Sequence, residues 1–298
     1  MRTPVSLALL LLLPSVSLAQ TREIEDAIQT KISALKFVYA LEDPAGGFKP
    51  DPEGKVGLRA TSAAARAIKY LGGKVPNTDK HAAFVLKCFD PNTGGFADTP
   101  GGKPDVTVTS IGVMAAVELG VPKEKFAKAM DYLKANAKTF EEVRIGAAAV
   151  EAWGVKDSPF DLEPWFEIAD KFARMKAPEP PGSGARDAGS FAAFRLRLGK
   201  ELPDRKAVLE TLKAGQREDG GWARPDGKGS ELETTYRVMR AFMLLKEKPK
   251  DPAKLREFIG KCRNADGGFG VQPGAKSSVS GVYYYAIITK WLDELEGK

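Results

Sequence analysis

Arg217-Glu-Asp-Gly-Gly-Trp222 and, 47 residues on, Asn264-Ala-Asp-Gly-Gly-Phe269 are copies of one element, which stands twice more as Glu42-Asp-Pro-Ala-Gly-Gly-Phe48 and Asp90-Pro-Asn-Thr-Gly-Gly-Phe96. Phe48 and Phe96 are 48 residues apart, whereas Phe96 and Trp222 are 126 apart, close to three repeats. Two degenerate copies therefore belong in the gap. A fixed period of this size marks a chain of supersecondary units that bury their apolar faces against one another.

Each turn leads into a stretch rich in small residues: Ala60–Leu71, Val108–Leu119, Thr234–Leu245 and Ser280–Trp291. The gap supplies two more, Val143–Trp153 and Ala188–Leu198, which makes six. Each is preceded by a helix with a cleaner amphipathic period, such as Lys123–Leu133 and Pro252–Ile259. Polar faces need water, so these form an outer ring, and the closely packing small-residue helices form an inner one. The expectation is an all-α fold, an α/α toroid of six helical hairpins and twelve helices. Each Gly-Gly pair is expected to end an outer helix in the left-handed region, and each aromatic to wedge between repeats.

The first residues combine Arg2, an apolar run from Val5 to Leu13, Pro14 and Ser17-Leu18-Ala19 before Gln20. That order predicts a cleavable signal peptide over residues 1–19 and a single domain over 20–298, secreted or periplasmic. No segment approaches transmembrane length. Without Arg2 the chain carries 44 basic and 39 acidic residues, a net +5 spread along its length. Interspersed charge of this kind speaks against a nucleic-acid partner. Cys88 and Cys262 occupy equivalent places in the second and sixth repeats, which repeat one separates in a ring, so two free buried thiols are expected. His81, the single histidine, falls on a short outer helix and reads as an exposed or capping residue.

The run Gln216-Arg-Glu-Asp-Gly-Gly-Trp222 resembles the Q-x-x-x-G-x-W repeat of squalene and other triterpene cyclases. The Gly-Gly-aromatic turn, polar loop and Tyr-bearing inner helix resemble still more the β-subunits of protein prenyltransferases, geranylgeranyltransferases above all. This likeness extends over the mature chain and implies an α/α toroid with an apolar central funnel. In that family a D-x-C-Y element and a later His hold zinc. Here Glu233 takes the Asp position, Thr235 the Cys position and Ser280 the His position. Hydroxyls are poor ligands for a borderline-soft ion, so no metal and no cofactor are expected; zinc belongs only to a transferase alternative.

The resemblance also implies that Arg224, Lys228 and Tyr236 match positions that hold an isoprenoid diphosphate, Tyr283 joining them as a ligand-binding residue. A solvated loop beside a cavity-lining Tyr is the other reading, and both stay open. No D-x-D-D acid motif of the cyclases occurs; Asp105 in Lys103-Pro-Asp105-Val-Thr107 is the nearest element. A carbohydrate-active toroid would instead pair carboxylates among Asp105, Asp187, Glu231 and Glu233, which are as well explained as helix caps. Tyr283-Tyr-Tyr285, Phe191, Phe194, Phe242, Arg59, Arg144 and Arg186 could line an aromatic, partly cationic funnel. The expected function is binding of an elongated apolar, isoprenoid-like small molecule or a peptide, with a partner subunit possible. If the protein is an enzyme, the resemblance implies a prenyltransferase-like transferase.

Overall fold

Small side chains let helices approach closely, and the Ala-rich segments do so around one centre. The computed structural model describes residues 18–175 and 184–297 and folds them into α1 (Leu18–Tyr39), α2 (Leu58–Tyr70), α3 (Thr78–Lys87), α4 (Val106–Glu118), α5 (Lys128–Asn136) and α6 (Phe140–Trp153). α7 (Glu163–Met175), α8 (Ala185–Arg197), α9 (Arg205–Ala214), α10 (Leu232–Leu245), α11 (Pro252–Lys261) and α12 (Val279–Glu296) complete the twelve. Apart from Leu18 and Ala19, the expected leader lies outside the described residues. Among these residues no helix is long and apolar enough to cross a membrane.

The even-numbered helices touch in the cyclic order α2, α4, α6, α8, α10, α12 and back to α2, which is a closed inner ring. Closure is also written in hydrogen bonds. The first N–H of an α-helix has no partner within the helix. Here Leu58 N donates to Asp98 O at 2.8 Å and Leu232 N to Val271 O at 2.7 Å, each reaching the loop of the next repeat. Val279 N of the last inner helix reaches Pro50 O of the first repeat at 2.8 Å. On the outer ring Arg263, beyond α11, donates to Thr30 Oγ1 of α1 at 2.9 Å.

The Gly-Gly pairs do not end the outer helices, contrary to expectation. α3 and α11 close on right-handed C-caps at Cys88 and Cys262, and the glycines follow several residues later. Their place is a tight turn in which Asp90 N donates to Gly95 O and Gly94 N to Asp90 O. The turn lays its backbone directly on the next outer helix: a Cβ at Gly267 would stand 2.8 Å from Ser33 Cβ of α1. The wedges are as expected, with Phe48, Phe96, Trp222 and Phe269 all buried. A threonine thirteen residues on pins three of them, Thr61, Thr109 and Thr235 accepting from the N–H of Phe48, Phe96 and Trp222 at 2.9–3.1 Å. Phe269 instead stacks on Tyr285 at 3.9 Å.

Both cysteines are free and buried, and burial pushes each thiol up to about 12. The reading of His81 is overturned: it is fully buried, its Nδ1 accepting from Gly47 N at 2.9 Å and its Nε2 lying 3.3 Å from Glu42 Oε1. It lies under the first Gly-Gly turn, against the Phe48 ring. Burial outweighs the pull of the Glu42 carboxylate and holds the ring below its ordinary 6.5, so the folded protein keeps it neutral. The unfolded chain then binds the proton more readily. This part of the stability is complete above about pH 6.5 and is lost as pH falls through the lowered folded value. His81→Gln, which keeps an acceptor and a donor, is expected to flatten the fall of Tm between pH 7 and 5. An unchanged pH profile would rule this role out.

Candidate functional site

The inner ring encloses a cavity of about 350 Å³. Its wall mixes apolar and polar side chains. Ala63, Ile111, Met114, Ile145 and Ala148 of α2, α4 and α6 line it together with Arg59, Ser62, Arg66, Thr107 and Arg144 of the same helices, and Tyr236, Tyr283 and Tyr284 come from α10 and α12. Of the three consecutive tyrosines, Tyr285 turns away into the core, as the helical period requires. Phe194 and Phe242 are core residues too, Phe242 packing near Trp222.

Nearest the rim lies an arc of ion pairs. Glu233 accepts from Arg237 Nη2 at 2.7 Å and from Arg224 Nη2 at 3.0 Å, with Arg186 at 3.9 Å. Arg237 Nη1 reaches Glu141 at 3.0 Å, and Glu141 also pairs with Arg144 at 3.0 Å. Glu231 takes the other side of Arg224 at 2.7 Å, and Asp187 stands 3.7 Å from Arg186. Every arginine of this arc therefore has a carboxylate. Burial opposes ionisation of Glu233 and Glu141, but the guanidiniums outweigh it and hold both carboxyls below the usual range. A general acid needs the opposite shift. Asp105 is the N-cap of α4, accepting from Val108 N at 2.7 Å. These carboxylates act as caps and ion-pair partners rather than as an acid–base couple.

One layer deeper the balance changes. Arg66 and Arg240 each lie eight residues into their helices, about 12 Å below the rim at 1.5 Å per residue. Arg66 stands 5.1 Å over the Tyr283 ring, and Arg240 4.4 Å over Trp291 with its Nη2 3.3 Å from Tyr236 Oη. Among the described residues no carboxylate lies within ion-pair distance of either. Arg197, 8 % exposed, has only Glu151, 3.4 Å from its Nε without forming a hydrogen bond. The buried Nε atoms of Arg197 and Arg240 have no hydrogen-bond acceptor among the described residues. Cation–π contacts give back about 0.5–2 kcal/mol each. The three arginines are half-buried; burial opposes the charge of Arg66 and Arg240, but the neighbouring tyrosines outweigh it and hold both above the ordinary value, whereas burial and Arg240 push Arg197 below it.

The expected ligand residues are thus divided between two places. Arg224 and Lys228 border a separate rim pocket of about 580 Å³ with Asp219, Asp226 and Glu231, and Arg224 is already engaged by two carboxylates. Tyr236 and Tyr283 face the central cavity, their hydroxyls 3.3 Å apart. The basic pair and the tyrosines do not share one pocket. Arg59 and Arg144, both expected to line the funnel, line the cavity, whereas Arg186, expected with them, is not among its lining residues; Arg66, Arg197 and Arg237 line it without having been anticipated, and Arg240 lies beside it in a small recess with Arg144, Arg197 and Tyr236. The positions of the zinc ligands in the resembling family do not form a ligand set. The Thr235 hydroxyl is buried as the pin of the Trp222 turn, Glu233 is held by arginines, and Ser280 is at the exposed mouth. Among the described residues no group of three His, Cys, Asp or Glu is arranged to hold a metal.

Comparison with known proteins agrees with this architecture. The prenyltransferase alpha-alpha toroid domain matches residues 6–82, 67–135 and 192–294, and the chain belongs to that family. The β-subunit of a protein farnesyltransferase from Pyricularia oryzae is 29% identical over 92 residues, 30% of this chain. That match spans only 18% of the relative's own length. Candida albicans protein geranylgeranyltransferase-I complexed with GGPP has a TM-score of 0.62 at 13% identity, covering 80% of this chain and 84% of that one. A type II terpene cyclase from Scytonema in complex with geranylgeranyl dihydroxybenzoate has a TM-score of 0.60 at 11% identity, covering 93% and 98%. At such identities the likeness is one of fold.

Proposed function

We propose that the protein binds one elongated, isoprenoid-like chain in its central cavity, without zinc-dependent chemistry. The observation that carries this reading is the set of apolar lining residues Ala63, Ile111, Met114, Ile145 and Ala148, together with the rings of Tyr236, Tyr283 and Tyr284. At about 350 Å³ the space falls within the roughly 300–1,000 Å³ typical of small-molecule sites. That the two solved relatives were captured with geranylgeranyl compounds supports the same class of ligand.

Geranylgeraniol, a neutral chain, is the direct probe. At a hundred times its Kd it is expected to raise stability by about 2.7 kcal/mol, read as a thermal shift. Ala148→Phe, which fills the cavity, should abolish that shift without lowering the Tm of the free protein by more than a few degrees. Equal shifts in both proteins would place the chain elsewhere. The scattered ligand positions make purified protein expected to carry far less than one equivalent of zinc; stoichiometric zinc by elemental analysis would restore the transferase alternative. The apolar leader supports export, and the N-terminus of the mature product should be Gln20 by mass spectrometry. A product retaining residues 1–19 would count against export.

A further inference from the structure

Beside the central cavity α6, α8 and α10 line a recess of about 20 Å³, whose polar side chains are Arg144, Ser190, Arg197, Tyr236, Arg237 and Arg240. Ser190 is 2 % exposed, and its Oγ has no hydrogen-bond partner among the described residues; nor have the buried Nε atoms of Arg197 and Arg240. A serine inside a helix ordinarily turns its hydroxyl back to the carbonyl one turn earlier, as Ser110 does to Val106 O at 2.8 Å. Ser190 does not. The nearby carboxylates are engaged on other sides: Glu141 and Glu233 hold Arg144 and Arg237 toward the rim, and Glu151 lies 3.4 Å from Arg197 Nε without forming a hydrogen bond. Arg240 has only the Tyr236 hydroxyl, at 3.3 Å. Like charge is felt across the recess. After burial, it is Arg237 that pushes Arg144, and Arg240 that pushes Arg197, below the ordinary guanidinium value.

We propose that this recess binds one halide-sized anion, chloride in a physiological medium, held by the Ser190 hydroxyl and the Nε–H groups of Arg197 and Arg240 in the field of Arg144 and Arg237. A guanidinium donates and never accepts, so these donors need an occupant that only accepts. A water molecule would also have to donate. Tyr236 Oη already accepts from Arg240 and from Tyr283, which leaves the Ser190 oxygen alone to receive from it. Size then selects among anions. Roughly 10–15 Å³ admits a single water-sized sphere, so a recess of about 20 Å³ takes one monatomic ion and excludes phosphate, sulfate and carboxylates. The site goes beyond the chain-binding reading and does not depend on it. Arg144, Arg197, Tyr236 and Arg237 also line the central cavity, so the anion fixes part of that wall as well.

Thermal unfolding at constant ionic strength tests the site, with sodium chloride exchanged for sodium gluconate, whose anion is too large for the recess. Chloride at about ten times its Kd should raise the Tm of the wild type by about 3 °C. Ser190→Val keeps all four arginines but replaces the hydroxyl with methyl groups that fill the recess, and it should abolish the rise. Arg224→Met, Lys228→Met protein, altered only in the rim loop, should keep it. A chloride effect that survives Ser190→Val or is lost with the rim pair overturns the site, as does a wild type with the same Tm in both salts. Should Ser190→Val not fold, wild-type crystals soaked in sodium bromide decide: an anomalous peak among Ser190, Arg197 and Arg240 supports the site. Peaks only elsewhere, or none, refute it. None of these outcomes requires geranylgeraniol to bind, so the two readings fail separately.

Discussion

Gly220→Ala is expected to cost on the order of 3–5 kcal/mol, enough to lower the Tm by roughly 10 °C in a domain of this size. Two penalties add. Gly220 has φ +94°, a region that costs an L-residue about 1–2 kcal/mol. A Cβ there would also lie 2.2 Å from both Lys254 C and O and 2.6 Å from Leu255 N, all backbone atoms of α11 that no rotamer change can move aside. Relieving the overlap means displacing the outer helix of the neighbouring repeat. Gln216 makes that harder, since its amide donates to Gly220 O and Asp251 O at 2.8 Å and accepts from Asp251 N. Gly72→Ala is the control: φ is +80° but nothing lies within 4 Å of the new methyl, so only the backbone penalty of about 1 kcal/mol applies. Thermal unfolding followed by circular dichroism separates the two. Similar losses at both positions would show that the turn does not press on the next repeat.

Trp222→Ala is expected to cost about 3–5 kcal/mol. The side chain is fully buried between repeats, packs near Phe242 and donates its indole N–H to Leu212 O at 2.9 Å. Truncation leaves both a cavity and an unpaired buried carbonyl. Trp222→Phe should be milder, about 1–2 kcal/mol, because the other three turns already use Phe48, Phe96 and Phe269 as wedges and only the hydrogen bond and some volume are lost. Denaturant midpoints measured at constant m-value test the order. A Phe variant as unstable as the Ala variant would mean that the indole hydrogen bond, not the wedge, holds the repeat.

The ring was legible because its signals are local and repeated. A Gly-Gly-aromatic turn followed about ten residues later by a small-residue helix predicts both the number and the alternation of α2 through α12. The finer chemistry of the turn was less legible. The glycines look like helix caps in sequence, yet they are needed because the next outer helix passes within van der Waals distance, a tertiary fact. His81 reads as a surface residue on its own helix, and only the packing of the first turn against α3 buries it.

The site divides in the same way. Arg224, Lys228 and Tyr236 are close in the chain and match a known pattern, but the arginine is neutralised by Glu231 and Glu233 while the tyrosine points into the cavity. Arg66, Arg197, Arg237 and Arg240 belong to no motif. A signal was present nonetheless. These arginines interrupt helices that small residues assign to the inner ring, and Tyr236 and Arg240 share a face at i, i+4. Charge on the inner helices, rather than the loop that follows each turn, was the feature to follow.

The central claim is that the lumen of the toroid holds one elongated, isoprenoid-like chain. The crystal structure of the protein bound to geranylgeraniol tests it most directly. The chain is predicted to lie inside the inner ring against Ile111, Met114 and Ile145. A chain bound outside the inner ring would contradict it.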